Sequence, residues 1–382
     1  MSTTTRTKPR AIFQEVSGPQ TAAPAPGAAD RARRSARRWT AVWLMLLVAL
    51  TCAMVIIGGL TRLTDSGLSM VSWHPVLEII PPLTDEDWAR EFEKYQQTAQ
   101  FRELNSWMTV EDFKPIYWWE WGHRQFGRLI GLVWAVGLML LLVLRKVPQG
   151  YLPALIIPGL LGGAQAVVGM WMVDSGVAEG SELLSVAPYR LTLHLGLAFV
   201  ILGTLLWPAW RLMREEWAQL QARRRRTTGL MAFSWALVAL TFAQMLLGAL
   251  VAGNDAGRGY IDWPLMHGHI LPPEAFDLQP LWRNFIEGDA LVQFNHRVVG
   301  YLLALTAVAY WLASRRLGRW GLWAMLVIWA QMGWGIVTVM HGAPLELAIF
   351  HQAGGLLTFA IVLRARFEAA YPPETSIRGA RA

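Results

Sequence analysis

Four of the eight histidines in this 382-residue chain stand in matched surroundings. His123, in GHRQFGRLIGL (122–132), pairs with His296, in NHRVVGYLLAL (295–305). His194, in LHLGLAF (193–199), pairs with His351, in FHQAGGLLTF (350–359). Each falls in an apolar stretch, where an ionisable side chain is costly and usually tied to function. One imidazole from each of two helices in a bundle can ligate a haem iron from both sides. Gly127 and Gly300 follow their histidines by four residues on the same helical face, leaving room for a flat macrocycle. Gly196 and the pair Gly354–Gly355 offer the same near His194 and His351. Arg124 and Arg297 come directly after their histidines, where a guanidinium can meet a haem propionate. The competing reading, in which each histidine only hydrogen-bonds across a helix interface, stays open on these residues alone.

The matched segments differ at one chemically informative place. Glu120 stands three residues before His123, whereas Gln293 stands three before His296. A carboxylate in a low-dielectric site can act as a base, accept a proton or stabilise developing positive charge. An amide can only hydrogen-bond. The first half therefore carries the residue for chemistry, and the second is suited to holding a static cofactor. An interfacial glutamate beside Trp118, Trp119 and Trp121 is the structural alternative.

The elements that must position these groups are membrane spans. The chain is 54% hydrophobic and only 16% charged, well short of the quarter usual in soluble domains. Eight apolar runs approach the roughly 20 residues a spanning helix needs, at 39–60, 117–144, 151–173, 190–210, 229–252, 290–313, 318–340 and 347–365. Segments 31–38, 145–146, 211–228, 314–319 and 364–366 carry 5, 2, 6, 3 and 2 Lys or Arg, against 0, 2 and 0 in 174–189, 253–289 and 341–346. That asymmetry places both termini in the cytoplasm. It puts the long loop 61–116, with ten Asp or Glu against five Lys or Arg, outside. The net charge of +7 is then topological, and Arg223–Arg226 needs no nucleic-acid partner.

The spans also repeat. GGLTRLTDSGLSMVSWHP (58–75) aligns with GALVAGNDAGRGYIDWPL (248–265), and AQAVVG (164–169) with AQMGWG (330–335). The expected fold is an all-α integral membrane protein of eight transmembrane helices arranged as two tandem four-helix-bundle repeats. Its parts are a disordered, Arg-rich cytoplasmic tail (1–38), the first repeat (39–210), a cytoplasmic linker (211–228), the second repeat (229–366) and a cytoplasmic tail (367–382). The single cysteine, Cys52, excludes an internal disulfide, a thiolate zinc site and a covalent CxxCH haem. His74, His267, His269 and His341 lie in or beside outside loops. His267 and His269 could join a metal site, but lack nearby partners and read as a solvated pair.

Taken in order, the E-x-x-H-R of Glu120–Arg124, the N-H-R of Asn295–Arg297, and the later His194 and His351 resemble haem A synthase. The stretch YQQTAQFRELNSWMTVEDFKPIYWWEW (95–121) is similar to the alphaproteobacterial and mitochondrial branch. The resemblance covers roughly 39–366. It implies oxidation of the C8 methyl of haem O to a formyl group by successive hydroxylations, giving haem A for terminal cytochrome oxidase. It further implies His296 and His351 as ligands of a resident haem b and His123 and His194 as flanking the substrate haem. Glu120 would be the essential carboxylate, stabilising a carbocation-like intermediate or accepting a proton. Expected partners are a haem O synthase, cytochrome oxidase assembly factors, membrane lipid and an unidentified electron acceptor, with quinone a candidate; a homo-oligomer is compatible with the chain. The implied location is the bacterial inner membrane with the haem sites towards the periplasm. Gram-positive members carry a cysteine pair in the first outer loop, and its absence from 61–116 excludes thiol transfer there. A dihaem cytochrome b relaying electrons from quinol uses the same four histidines, and Glu120 is the feature that argues against it. A repeat-built transporter ranks third, lacking paired broken helices despite Pro153 and Pro158.

Overall fold

In lipid every backbone polar group must be satisfied within its own segment, so apolar runs of this length form helices. A computed structural model describes residues 27–73 and 79–373, and among these eight helices are long and apolar enough to cross a membrane. They are α1 (Ala28–Leu63), α3 (Val110–Val143), α4 (Leu152–Val177), α5 (Pro188–Met213), α7 (Thr228–Gly253), α8 (Asp289–Ser314), α9 (Trp320–Met340) and α10 (Leu345–Ala370). Two shorter helices, α2 (Asp85–Gln96) and α6 (Glu216–Arg225), lie between them. The chain is a multi-pass membrane protein built of helices, with one isolated β-bridge, Met266 to His269, among the described residues.

Three boundaries differ from expectation, each for a local reason. α1 begins at Ala28, so residues 28–38 of the expected disordered tail are helical; DRARRSARR is rich in helix formers and Asp30 lies in the first turn. Residues 1–26 of that tail lie outside the described residues. α3 starts at Val110 because Thr109 and Asp112 form a reciprocal capping box, satisfying two orphan N–H groups. The linker 211–228 contains α6, and α10 runs to Ala370, past the expected boundary at 366. The rest of the expected C-terminal tail, 374–382, is outside the described residues.

Packing follows a ring in each half. α1 contacts α3 and α5, and α4 joins α3 to α5; in the second half α7, α8, α9 and α10 close in the same order. The halves meet where α5 packs on α7 and α1 on α10. Leu44, Leu47, Leu202, Leu205, Leu237, Ala307, Val362 and their neighbours form one apolar core across both rings. Leu132, Leu140, Leu160, Leu305 and Phe350 point outward, as a lipid-facing surface requires. Polar ties at the seam fix the register of the halves. Gln352 Nε2 donates to Val55 O at 2.6 Å, and Arg62 bridges Asp65 at 2.9 Å and Asp255 at 2.6 Å.

The long acidic loop after α1 is itself folded. α2 is capped by Thr84, and its Trp88, Phe92 and Tyr95 pack against Phe113 and Tyr117 on the extended start of α3. The ring pairs are close, 5.1 Å for Trp88–Tyr117 and 5.2 Å for Tyr95–Phe113. Met70, fully buried, joins this cluster and brings it down onto the polar site described next.

Candidate active site

Each of the four matched histidines lies against a glycine of the helix before it. A methyl group on Gly58 (α1) would stand 3.1 Å from His123 Nε2, and one on Gly169 (α4) 2.9 Å from His194 Cε1. The second half repeats this, with Gly248 (α7) 3.2 Å from His296 Cε1 and Gly335 (α9) 2.8 Å from His351 Cε1. A Cβ at Gly169 or Gly335 would force the imidazole to shift, and one at Gly58 or Gly248 would press on it closely. The imidazoles associate in pairs within each half, His123 within electrostatic reach of His194 and His296 of His351. These four glycines were not singled out from the sequence, although they recur at matched places in it. Of those that were, Gly127 and Gly300 meet only Met54 and Gln244. Gly196 instead packs against Leu246 of α7, a contact between the halves, and Gly355 against Met245 of α7, a contact within the second half.

Glutamines hold three of the four histidines. Gln165 Nε2 donates to His194 O at 3.0 Å and Gln331 Nε2 to His351 O at 2.6 Å. Gln244 Nε2 donates to His296 O at 3.0 Å and stands 3.1 Å from its Nδ1. Among the described residues His123 has no such glutamine, because Met54 occupies the place four residues before Gly58 that Gln244 holds before Gly248. Among the described residues, His194 Nδ1 and the Oε1 atoms of Gln165 and Gln244 are buried without a hydrogen-bond partner. Buried polar atoms are rarely left so, and each one points to a group that completes it. The unpartnered His194 Nδ1, on one of two buried imidazoles in the same half, suits a site in which His123 and His194 would hold a haem iron.

Glu120 is 2% exposed and fully engaged. Its Oε2 accepts from Ser69 Oγ and from the Met70 N–H, both at 2.8 Å. Its Oε1 accepts from Arg124 Nη2 at 2.5 Å. Arg124 also donates to Met70 O and Ser72 O and covers the Trp73 ring. At the equivalent turn of α8, Gln293 is equally buried but its polarity is reversed. Its Nε2 donates to Ala256 O at 2.9 Å and Tyr260 O at 3.1 Å, and its Oε1 accepts from Arg297 Nη2 at 3.2 Å. Arg297 in turn donates to the carbonyls of Tyr260, Asp262 and Leu265, each at 2.9 Å. The first-half loop thus presents donors to an anion, and the second-half loop presents acceptors to an amide. Glu120 is therefore no solvated interfacial glutamate. Both arginines, expected from the sequence to reach a ligand carboxylate, are engaged with their own loops, and only Arg297 Nε is left buried without a partner.

Among the described residues, the remaining histidines form no comparable site. The His267–Gly268 turn is held by the Asp262 carboxylate, which accepts both N–H groups, at 2.9 and 3.1 Å. Those donors keep the Asp262 carboxyl below the usual carboxylate range. The His267 ring rests on Tyr260, 4.6 Å between centroids. No group of three or more potential metal ligands occurs among the described residues. His341 Nδ1 lies 2.8 Å from Val337 O, and His74 falls outside the described residues.

Comparison with known proteins places this architecture. A family model described as Cytochrome oxidase assembly protein, COX15-CtaA, matches residues 41–363. The chain belongs to that family. Its COX15-CtaA range contains Glu120, His123, Arg124, His194, His296, Arg297 and His351, together with the glycines and glutamines that pack on the histidines. The chain is 53% identical over 376 residues to a haem A synthase of Ruegeria pomeroyi, covering 97% of this chain and 99% of the other. It is 50% identical over 377 residues to that of Roseobacter denitrificans, with 97% and 99% covered. Against that of Paracoccus denitrificans it is 48% identical over 377 residues, with 97% and 98% covered.

Proposed function

We propose that the protein is a haem A synthase, an oxidoreductase that converts the C8 methyl of haem O to a formyl group. The names of relatives that match nearly the full chain support the reaction. The observation that carries the assignment of roles is the reversed polarity around Glu120 and Gln293. His123 and His194 receive the substrate haem in the first half. His296 and His351, each held by a glutamine, ligate a resident haem b in the second. Haem b supplies one-electron redox capacity between the reacting site and an external acceptor. Glu120, on the His123 face of α3, stabilises positive charge or accepts a proton at the methyl being oxidised. Ser69, Met70 and Arg124 hold that carboxylate in place through three hydrogen bonds. Arg297 Nε is the donor available to a propionate in the second half, whereas Arg124, the matched residue in the first, would have to give up a loop contact to reach one.

The recurring glycine, histidine and arginine contacts support the reading of two tandem four-helix units. The Lys and Arg asymmetry supports insertion in the bacterial inner membrane with both termini cytoplasmic and the haem sites towards the periplasm. A haem O synthase supplies substrate, assembly factors of terminal oxidase receive product, and a quinone is the candidate electron acceptor. The test is co-expression with a haem O synthase in a host that makes no haem A, followed by haem extraction, chromatography and mass spectrometry. Haem A appearing only when both proteins are present is the expected result. Haem b with unaltered haem O, from correctly folded protein, overturns the enzyme and leaves an electron relay.

A further inference from the structure

The arginine-rich end of the bundle contains a cavity that none of the chemistry above uses. Its volume is about 370 Å³, and it lies between the start of α1 and the end of α5, lined by Arg34, Arg37, Arg38, Val42, Met213 and Glu215 among others. Arg34, Arg38 and Val42 fall on one helical face at spacings of four residues, so their side chains point the same way.

The three arginines differ in what they do. Arg37 is buried and structural. It pairs with Glu216 at 2.7 Å and donates to the carbonyls of Arg211, Leu212 and Arg214 at 2.7 to 3.1 Å, closing the end of α5. Arg34 and Arg38 are exposed, and neither makes a hydrogen bond or ion pair among the described residues. With Arg37 neutralised by Glu216, the lining carries two free positive charges against the one negative charge of Glu215, a net of +1. The other wall is apolar. Val42 and Met213 in the lining are exposed, Leu46 lies one turn beyond Val42 on α1 and is exposed too, and the exposed Trp39 follows Arg38. Trp217 and Leu220, three residues apart on α6, are exposed as well, with Arg223, Arg224 and Arg225 at that helix's end. This is the pattern of a helix lying in a membrane interface.

A cavity that is cationic at one end and greasy at the other, at the level where a span leaves the hydrocarbon, fits an amphiphile with an anionic head. We propose that it binds a single anionic phospholipid, its phosphodiester between Arg34 and Arg38 and its acyl chains along Val42, Leu46 and Met213. The net charge of the lining matches one monoanionic headgroup such as phosphatidylglycerol. The site is independent of the haem assignment and stands if that assignment fails.

The experiment compares the full chain with an Arg34→Gln/Arg38→Gln variant, both purified in a mild non-ionic detergent. Thermal unfolding midpoints are measured with phosphatidylglycerol, phosphatidylethanolamine or inorganic phosphate added at equal concentration, and native mass spectrometry counts retained lipids. Without lipid the two proteins should unfold at the same temperature, because the replaced side chains are exposed and unpartnered. Phosphatidylglycerol should raise the wild-type midpoint by about 2 °C or more and stay bound at one per chain. The variant should lose most of that rise and the retained lipid. An equal rise in both proteins, or none in the wild type, overturns the site. An equal rise with phosphatidylethanolamine overturns the headgroup assignment, and one with inorganic phosphate overturns the lipid.

Discussion

Glu120 and Gln293 occupy the same turn of two similar scaffolds, each four residues before an arginine, yet the hydrogen bonds around them run in opposite senses. That difference has an energetic signature. In the first half Arg124 faces a buried carboxylate, and removing one partner of a buried pair costs roughly 3–5 kcal/mol because the other charge is stranded. In the second half Arg297 faces a neutral amide, and its loss leaves unsatisfied carbonyls at about 1–3 kcal/mol. Arg124→Leu should therefore lower stability more than Arg297→Leu, as read from unfolding midpoints in the same detergent. Equal losses would remove the energetic difference between the two sites. From the sequence, the histidines and the Glu120–Gln293 contrast were legible because helical spacing places them. Ser69 and Met70 were not, since a loop folding back fifty residues onto a helix leaves no periodic signal. Met54 against Gln244 was visible at matched positions, but its meaning needed the facing helix.

At the scale of elements, the eight spans were readable to within a few residues from apolar length, apart from the early starts of α1 and α3 and the longer run of α10. The lid was not. The loop 61–116 has too few apolar residues in sequence to read as a span, and α2 declares itself only through its cap and through aromatic packing on α3. Thr84 is the residue on which that helix starts. Thr84→Ala removes the bond to the Asp87 N–H and should cost about 1 kcal/mol locally. The Thr84 N–H and hydroxyl, with the Leu83 N–H, hold the Asp87 carboxyl below its ordinary value. A depressed folded value means the contribution is present above the unfolded pKa near ~4 and is lost as pH falls through the folded one. Amide exchange across 85–96 should accelerate between pH 7 and pH 3 after correction for intrinsic rates. Protection unchanged on acidification would remove Asp87 from the account.

For the whole molecule, two rings of four helices share a seam of α1, α5, α7 and α10, and the imidazole pairs sit one to a ring. The proposed function assigns holding to one ring and reacting to the other. His296→Ala should abolish the low-spin b-type spectrum of protein expressed without haem O, whereas His123→Ala should leave it in place. A full spectrum in the His296 variant would reverse the division between the halves. The most direct measurement is the haem content of a Glu120→Gln variant co-expressed with a haem O synthase. Haem b should be retained at the wild-type level, haem O should be present unaltered, and haem A should fall by about a hundredfold or more, the scale expected when one stabilising charge is withdrawn from a transition state. Undiminished haem A in that variant would contradict the account at its centre.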